Sequence, residues 1–131
     1  LAFCLGFFLY YLYTDFMGGK VEKTVYDDGT VRIYAQSDLG SCKLPKILDA
    51  LNIPIHDKLK IRNYDVYLDK DENINSVEIY CSTDKDGNEI IEWYKEKLNS
   101  TNDAKGIWNN FEMDVSFNKF SNLVSIVLKK Q

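Results

Sequence analysis

Histidine is nearly absent from this chain, and that scarcity limits function more than any residue present. His56 is the only one in 131 residues. A hydrolytic triad or a zinc site needs a histidine with partners held against it, and Asp57, adjacent in an extended segment, points elsewhere. No G-x-S-x-G turn presents a serine nucleophile. Phosphate loops, dinucleotide glycine patterns and paired zinc spacings are also missing. His56 is therefore read as a structural or solvated loop residue. Cysteine is scarce too: Cys4, Cys42 and Cys81 show no C-x-x-C spacing. Cys4 acts as a small hydrophobe, and Cys42 and Cys81 are expected as unpaired, partly buried thiols. The alternatives are a Cys42–Cys81 disulfide in an oxidising compartment, or a nucleophilic pair of either thiol with His56. Positive charge is in deficit, with 16 Lys and Arg against 20 Asp and Glu, a net charge of −4. That balance argues against a nucleic-acid surface, which shows a basic stripe.

What the chain does have is an uncharged opening. Residues 1–14, LAFCLGFFLYYLYT, meet no charge until Asp15. As a helix rising about 1.5 Å per residue they cover roughly 21 Å, short of the ~30 Å hydrocarbon core of a bilayer. The chain starts at Leu1 and not at methionine, so the run is expected to be the surviving half of a longer hydrophobic helix. Tyr10, Tyr11 and Tyr13, with Phe16 just beyond, crowd its end. Such amphipathic rings favour the headgroup layer. We expect a single-pass anchor that meets the membrane through residues 1–16. A signal peptide would end in small residues and not tyrosines, and Phe3 before Cys4 argues against lipoprotein processing. A pilin-like arrangement is discounted, because Leu5 stands where those proteins carry glutamate and Gly18-Gly19 follow soon after. A helix buried in the core or packed on a partner is the competing reading.

Beyond the run, the chain divides into a hinge at Gly18-Gly19, closing segment 1–19, and a single domain over 20–131. Residues 23–26 and 30–35 flank Asp27-Asp28-Gly29, a hairpin signal. Residues 44–51 predict a short helix, with Pro45 in its first turn and Pro54 barring continuation. Residues 59–68 and 74–82 predict two strands, with Val77, Ile79 and Cys81 pointing one way and Glu78 and Tyr80 the other. Ile90, Ile91, Tyr94 and Leu98 recur at helical spacing and predict the main helix over 86–98. Residues 111–117 alternate as a half-buried strand, and 123–128 are apolar on both faces, as a central strand is. The expected class is α+β: an antiparallel sheet of four to six strands, the 86–98 helix packed on one face, and an N-terminal hydrophobic (transmembrane) helix ahead of them.

Two acidic stretches open like calcium loops. Asp69, Asp71 and Asn73 share the spacing of Asp84, Asp86 and Asn88, but position twelve is Tyr80 in the first and Lys95 in the second, and neither closes the cage. They are read as a hairpin turn and a helix cap. Asn99-Ser100-Thr101 is a formal glycosylation sequon. Trp93, Tyr94, Tyr64, Tyr67 and Tyr80 are candidates for an aromatic binding face, half of them expected to fill the core instead. No catalytic, cofactor-binding or metal residue is assigned, and no cofactor.

Ile53-Pro54-Ile55, the following strand pair, YCSTDKDGNEIIEWYKEKL and the two-strand ending resemble a family of small, membrane-anchored extracytoplasmic bacterial domains of unknown function. The resemblance covers about residues 53–130; the family often has a Pro-Gly-Ala step where this chain has Ile55-His56-Asp57. It implies a proline-led strand entry and a helix of the kind formed by Trp93 to Leu98, and it carries no activity. The expected function is a membrane-anchored extracytoplasmic binding or interaction module, not an enzyme. Its expected partners are the membrane and another protein, with no nucleic acid and no small-molecule substrate. An accessory subunit of a larger membrane complex, with Gly6, Cys4 and Ala2 marking a close-contact face, is one alternative. An inhibitor or immunity-type protein is the other.

Overall fold

Seven strands in one antiparallel sheet dominate the computed structural model, which describes residues 20–131. In chain order they are β1 (Lys20–Val25), β2 (Val31–Gln36), β3 (Leu59–Leu68), β4 (Ile74–Thr83), β5 (Lys105–Trp108), β6 (Phe111–Asn118) and β7 (Leu123–Lys130). A 3-10 helix, Lys46–Leu51, lies between β2 and β3, and α1, Gly87–Lys97, lies between β4 and β5. The spatial order is β1-β2-β3-β4-β7-β6-β5.

The expected α+β class with four to six strands is therefore overturned: the fold is mostly β, with one short α-helix. The strand not foreseen is β5, whose four residues KGIW offer too little alternation to read. A two-residue Asn109-Asn110 turn, with φ of 47° and 70°, folds it onto β6. Both asparagines adopt the left-handed conformation that tight hairpins demand. The expected transmembrane helix falls on residues 1–16, outside the described residues. No helix among the described residues is long and apolar enough to cross a membrane. The 44–51 helix is 3-10 in form and shorter than expected.

Tight hairpins join β1 to β2 and β3 to β4, and the longer connection through the 3-10 helix brings β3 back beside β2. The β1–β2 turn is held by Asp28, whose carboxylate accepts from the Thr30 amide (3.0 Å) and hydroxyl (2.6 Å), with Gly29 at φ 87°. After β4 the chain leaves the sheet through α1, which is capped by Asp86 accepting from the Asn88 amide at 3.1 Å. The helix opens with Gly87 directly over the Phe117 ring of β6, and Leu98 beyond its end lies against Gly106 of β5. It thus carries the chain past two strand positions to the far edge. From there β5, β6 and β7 return by tight turns until β7 fills the gap beside β4.

Both helices cover the same face. Its core includes Tyr64, Val66, Val77, Ile79, Cys81, Met113, Val124, Ile126 and Leu128, beneath Ile90 and Tyr94 of α1. Ile90 and Tyr94 are fully buried, whereas Ile91, expected on the same face, is only half-buried. Full burial of a side chain such as Ile90 is worth about 1.5–3 kcal/mol. The Trp108 indole and the Asn109 amide both donate to the Leu51 carbonyl, at 2.9 and 2.5 Å, and pin the 3-10 helix to the β5 end of this face.

Candidate functional site

Because side chains alternate along every strand, the second face of the sheet is fixed by the same register, and among the described residues no helix lies over it. One cross-strand row runs its whole width. Glu22 stands opposite Tyr34, Tyr34 opposite Asp65, and Asp65 opposite Glu78. Glu78 stands opposite Val127, Val127 opposite Asp114, and Asp114 opposite Lys105. The neighbouring row brings Arg32, Tyr67, Ser76, Lys129 and Glu112 alongside.

The left half of this face is closed by its own contacts. The Arg32 guanidinium meets Asp65 at 2.5 Å and sits over the Tyr34 ring, 4.9 Å from its centroid. Asp65 is only 7% exposed, so its charge needs this partner. Burial, then the Asp65 charge, pushes the Tyr67 phenol up; burial, then Glu78, does the same for Tyr80. Both rings stay neutral and offer hydroxyl hydrogen bonds.

The right half is open. Glu78, Val127, Lys129, Glu112, Asp114, Lys105 and Ile107 line a depression of about 660 Å³. Lys105 reaches Asp114 at 3.7 Å, and Lys129 stands opposite Glu112 on the adjacent strand. Glu78 has no cation within salt-bridge distance among the described residues, although a second carboxylate, Asp65, stands opposite it. Like charges in directly opposed positions are destabilising. Val127 is half-buried and Ile107 exposed, so the hollow combines an apolar floor with an excess of acid.

The residues singled out from the sequence lie elsewhere. His56 accepts from the Lys58 amide through Nδ1 at 3.0 Å and packs edge-on against Trp93; Asp57, expected to point elsewhere, instead turns its carboxylate to within 3.1 Å of the same nitrogen. Cys42 and Cys81 are buried and form no disulfide among the described residues; the Cys42 thiol donates to the Arg62 carbonyl at 3.5 Å. The Cys42 amide donates to the Ile61 carbonyl from one side of β3, while Cys81 pairs with Ile61 from the other. Burial, with Cys42 as its neighbour, pushes the Cys81 thiol up to about 12, the reverse of what a nucleophile requires.

Of the five aromatic candidates, Tyr64 and Tyr94 fill the core, Trp93 rests against His56 and Tyr94, and Tyr67 and Tyr80 stand on the open face. Asp69 is occupied by its own turn, and Asp86 caps α1. No cluster of three or more potential metal ligands occurs among the described residues. Asn99 ends α1 in the left-handed conformation, φ 53°. Sequence reasoning missed Asp65, Glu78, Asp114, Val127 and Lys105 as a group. Their one local signal is an acid in mid-strand, as in Tyr64-Asp65-Val66; their assembly depends on β7 pairing with β4, which no short-range pattern encodes.

Comparison of the chain with protein-family models, curated proteins and solved structures gives no match.

Proposed function

We propose that the protein is an interaction module, held at the outer side of a membrane by its apolar N-terminal run, whose open sheet face receives a partner protein. The observation that carries this reading is the depression beside Glu78: wide, shallow, apolar at its floor and charged at its rim. That composition resembles an interface, in which an apolar centre is ringed by polar groups. Enclosed pockets with convergent polar groups serve small substrates instead. The Cys81 thiol is not activated, and His56 is committed to its own loop, which supports a binding role over a catalytic one. The accessory-subunit alternative uses the same surface and differs only in what the apolar run contacts.

A photo-crosslinking residue placed at Tyr80 or Val127 of the full chain, in the cells that make it, tests the reading. Discrete adducts with another protein are expected at both positions, and none at Glu96 on the exposed side of α1. Equal yields at all three positions, or no adduct from the sheet face, would overturn it. A cysteine placed at Asp71 reports orientation: labelling by an impermeant reagent on intact cells is expected, and protection until the membrane is breached would refute the outward placement.

A further inference from the structure

We propose that the depression docks a basic segment of the partner, a lysine or arginine meeting Glu78 and a neighbouring apolar side chain resting on Val127 and Ile107. This deepens the interaction-module reading and rests on it. The charge pattern chooses the occupant. Asp65 is matched by Arg32 at 2.5 Å and Asp114 by Lys105 at 3.7 Å, while Glu78 faces Asp65 with no cation of its own among the described residues. A cation arriving over Glu78 supplies a partner to the acid of this row that has no cation within salt-bridge distance among the described residues. The apolar component supplies area that a bare ion cannot: Ile107 is 55% exposed at the sheet edge, and Val127 sits beside Glu78 in the register. A second copy of the chain is disfavoured, since it brings another net charge of −4 and sets Glu78 toward Glu78. Anionic lipid and nucleic acid are repelled by the same acids.

The test uses the full chain in mild detergent and three fluorescent peptides, alternating lysine with valine, lysine with serine, and glutamate with valine. Fluorescence anisotropy is expected to show binding of the lysine–valine peptide alone, weakening as salt is added. Glu78→Lys should weaken that binding by roughly tenfold or more, Glu78→Gln by less, and Glu96→Lys on α1 by no more than about twofold. Circular dichroism checks that each variant is folded; Glu78→Gln keeps the shape and serves if Glu78→Lys unfolds. Equal binding of the lysine–serine peptide would make this a simple cation site and overturn the proposal. So would binding of the glutamate–valine peptide, or equal loss in the Glu78 and Glu96 variants. Crosslinks at Val127 without peptide binding would refute the basic partner yet leave the interaction module standing; loss of both would refute both.

Discussion

The Tyr94 hydroxyl donates a 2.7 Å hydrogen bond to the Pro54 carbonyl and accepts one of 3.3 Å from the His56 amide. One buried side chain of α1 therefore fastens the loop that leads from the 3-10 helix into β3. Burial pushes this phenol well above the usual tyrosine range, so it stays a donor at any physiological pH. Tyr94→Phe keeps the ring and strands both backbone groups. The expected loss is about 1–3 kcal/mol, the cost of leaving buried polar groups unpaired. Tyr67→Phe, on the open face, should change stability by no more than ~0.5 kcal/mol. Urea denaturation of the two variants side by side decides it, and equal effects would show that Tyr94 does not anchor the loop.

Gly87 begins α1 directly above Phe117, where an added Cβ would land in the aromatic ring. In an exposed helix, glycine to alanine gains up to about 1 kcal/mol. Here the opposite sign is expected: Gly87→Ala should destabilise by about 1–3 kcal/mol through overpacking. Combining it with Phe117→Leu, which frees the space, should cost less than the sum of the two single changes. Simple additivity in denaturation experiments would mean that the helix does not sit on β6 at this point.

How far these arrangements can be read from the sequence follows from the range of each signal. The α1 helix is legible because Ile90, Tyr94 and Leu98 mark one face and Asp86 caps it. The difference between Ile90 and Ile91 is not legible, since adjacent residues both fit a helical stripe and the helix rotation on the sheet decides which is buried. The alternation of β4 is legible, with Val77, Ile79 and Cys81 inward and Glu78 and Tyr80 outward. Its β7 neighbour is not, because the paired residues lie 41 to 53 positions apart, from Ser82–Leu123 to Ser76–Lys129, and the pairing is set by where α1 delivers the chain. The acid row on the open face inherits this limit: Glu78 is visible as an outward residue, and its partners Asp65 and Val127 are products of topology. β5 escapes notice because a four-residue edge strand borrows its structure from β6.

The β3–β4 turn offers a test in acid. The Asp69 carboxylate accepts from the Asn73 amide at 2.9 Å and the Asp71 amide at 2.8 Å, while its own amide donates to the Asn73 carbonyl. The Asn73 contact is the main reason its pKa lies below the ordinary 3.8; burial opposes it, and the Asp71 contact adds to the lowering. A carboxylate held lower in the folded state than in the unfolded chain binds fewer protons when folded. Its contribution is fully present above about pH 5 and is lost as pH falls through the lowered folded value. Asp69→Asn keeps an oxygen acceptor and removes the charge, so it should be less stable than the parent at neutral pH, with the gap closing below the ordinary aspartate pKa. Denaturant melts of both proteins at stepped pH measure that gap. A gap that stays constant into strong acid would show that the charge of Asp69 does not hold the turn, leaving only its shape to do so.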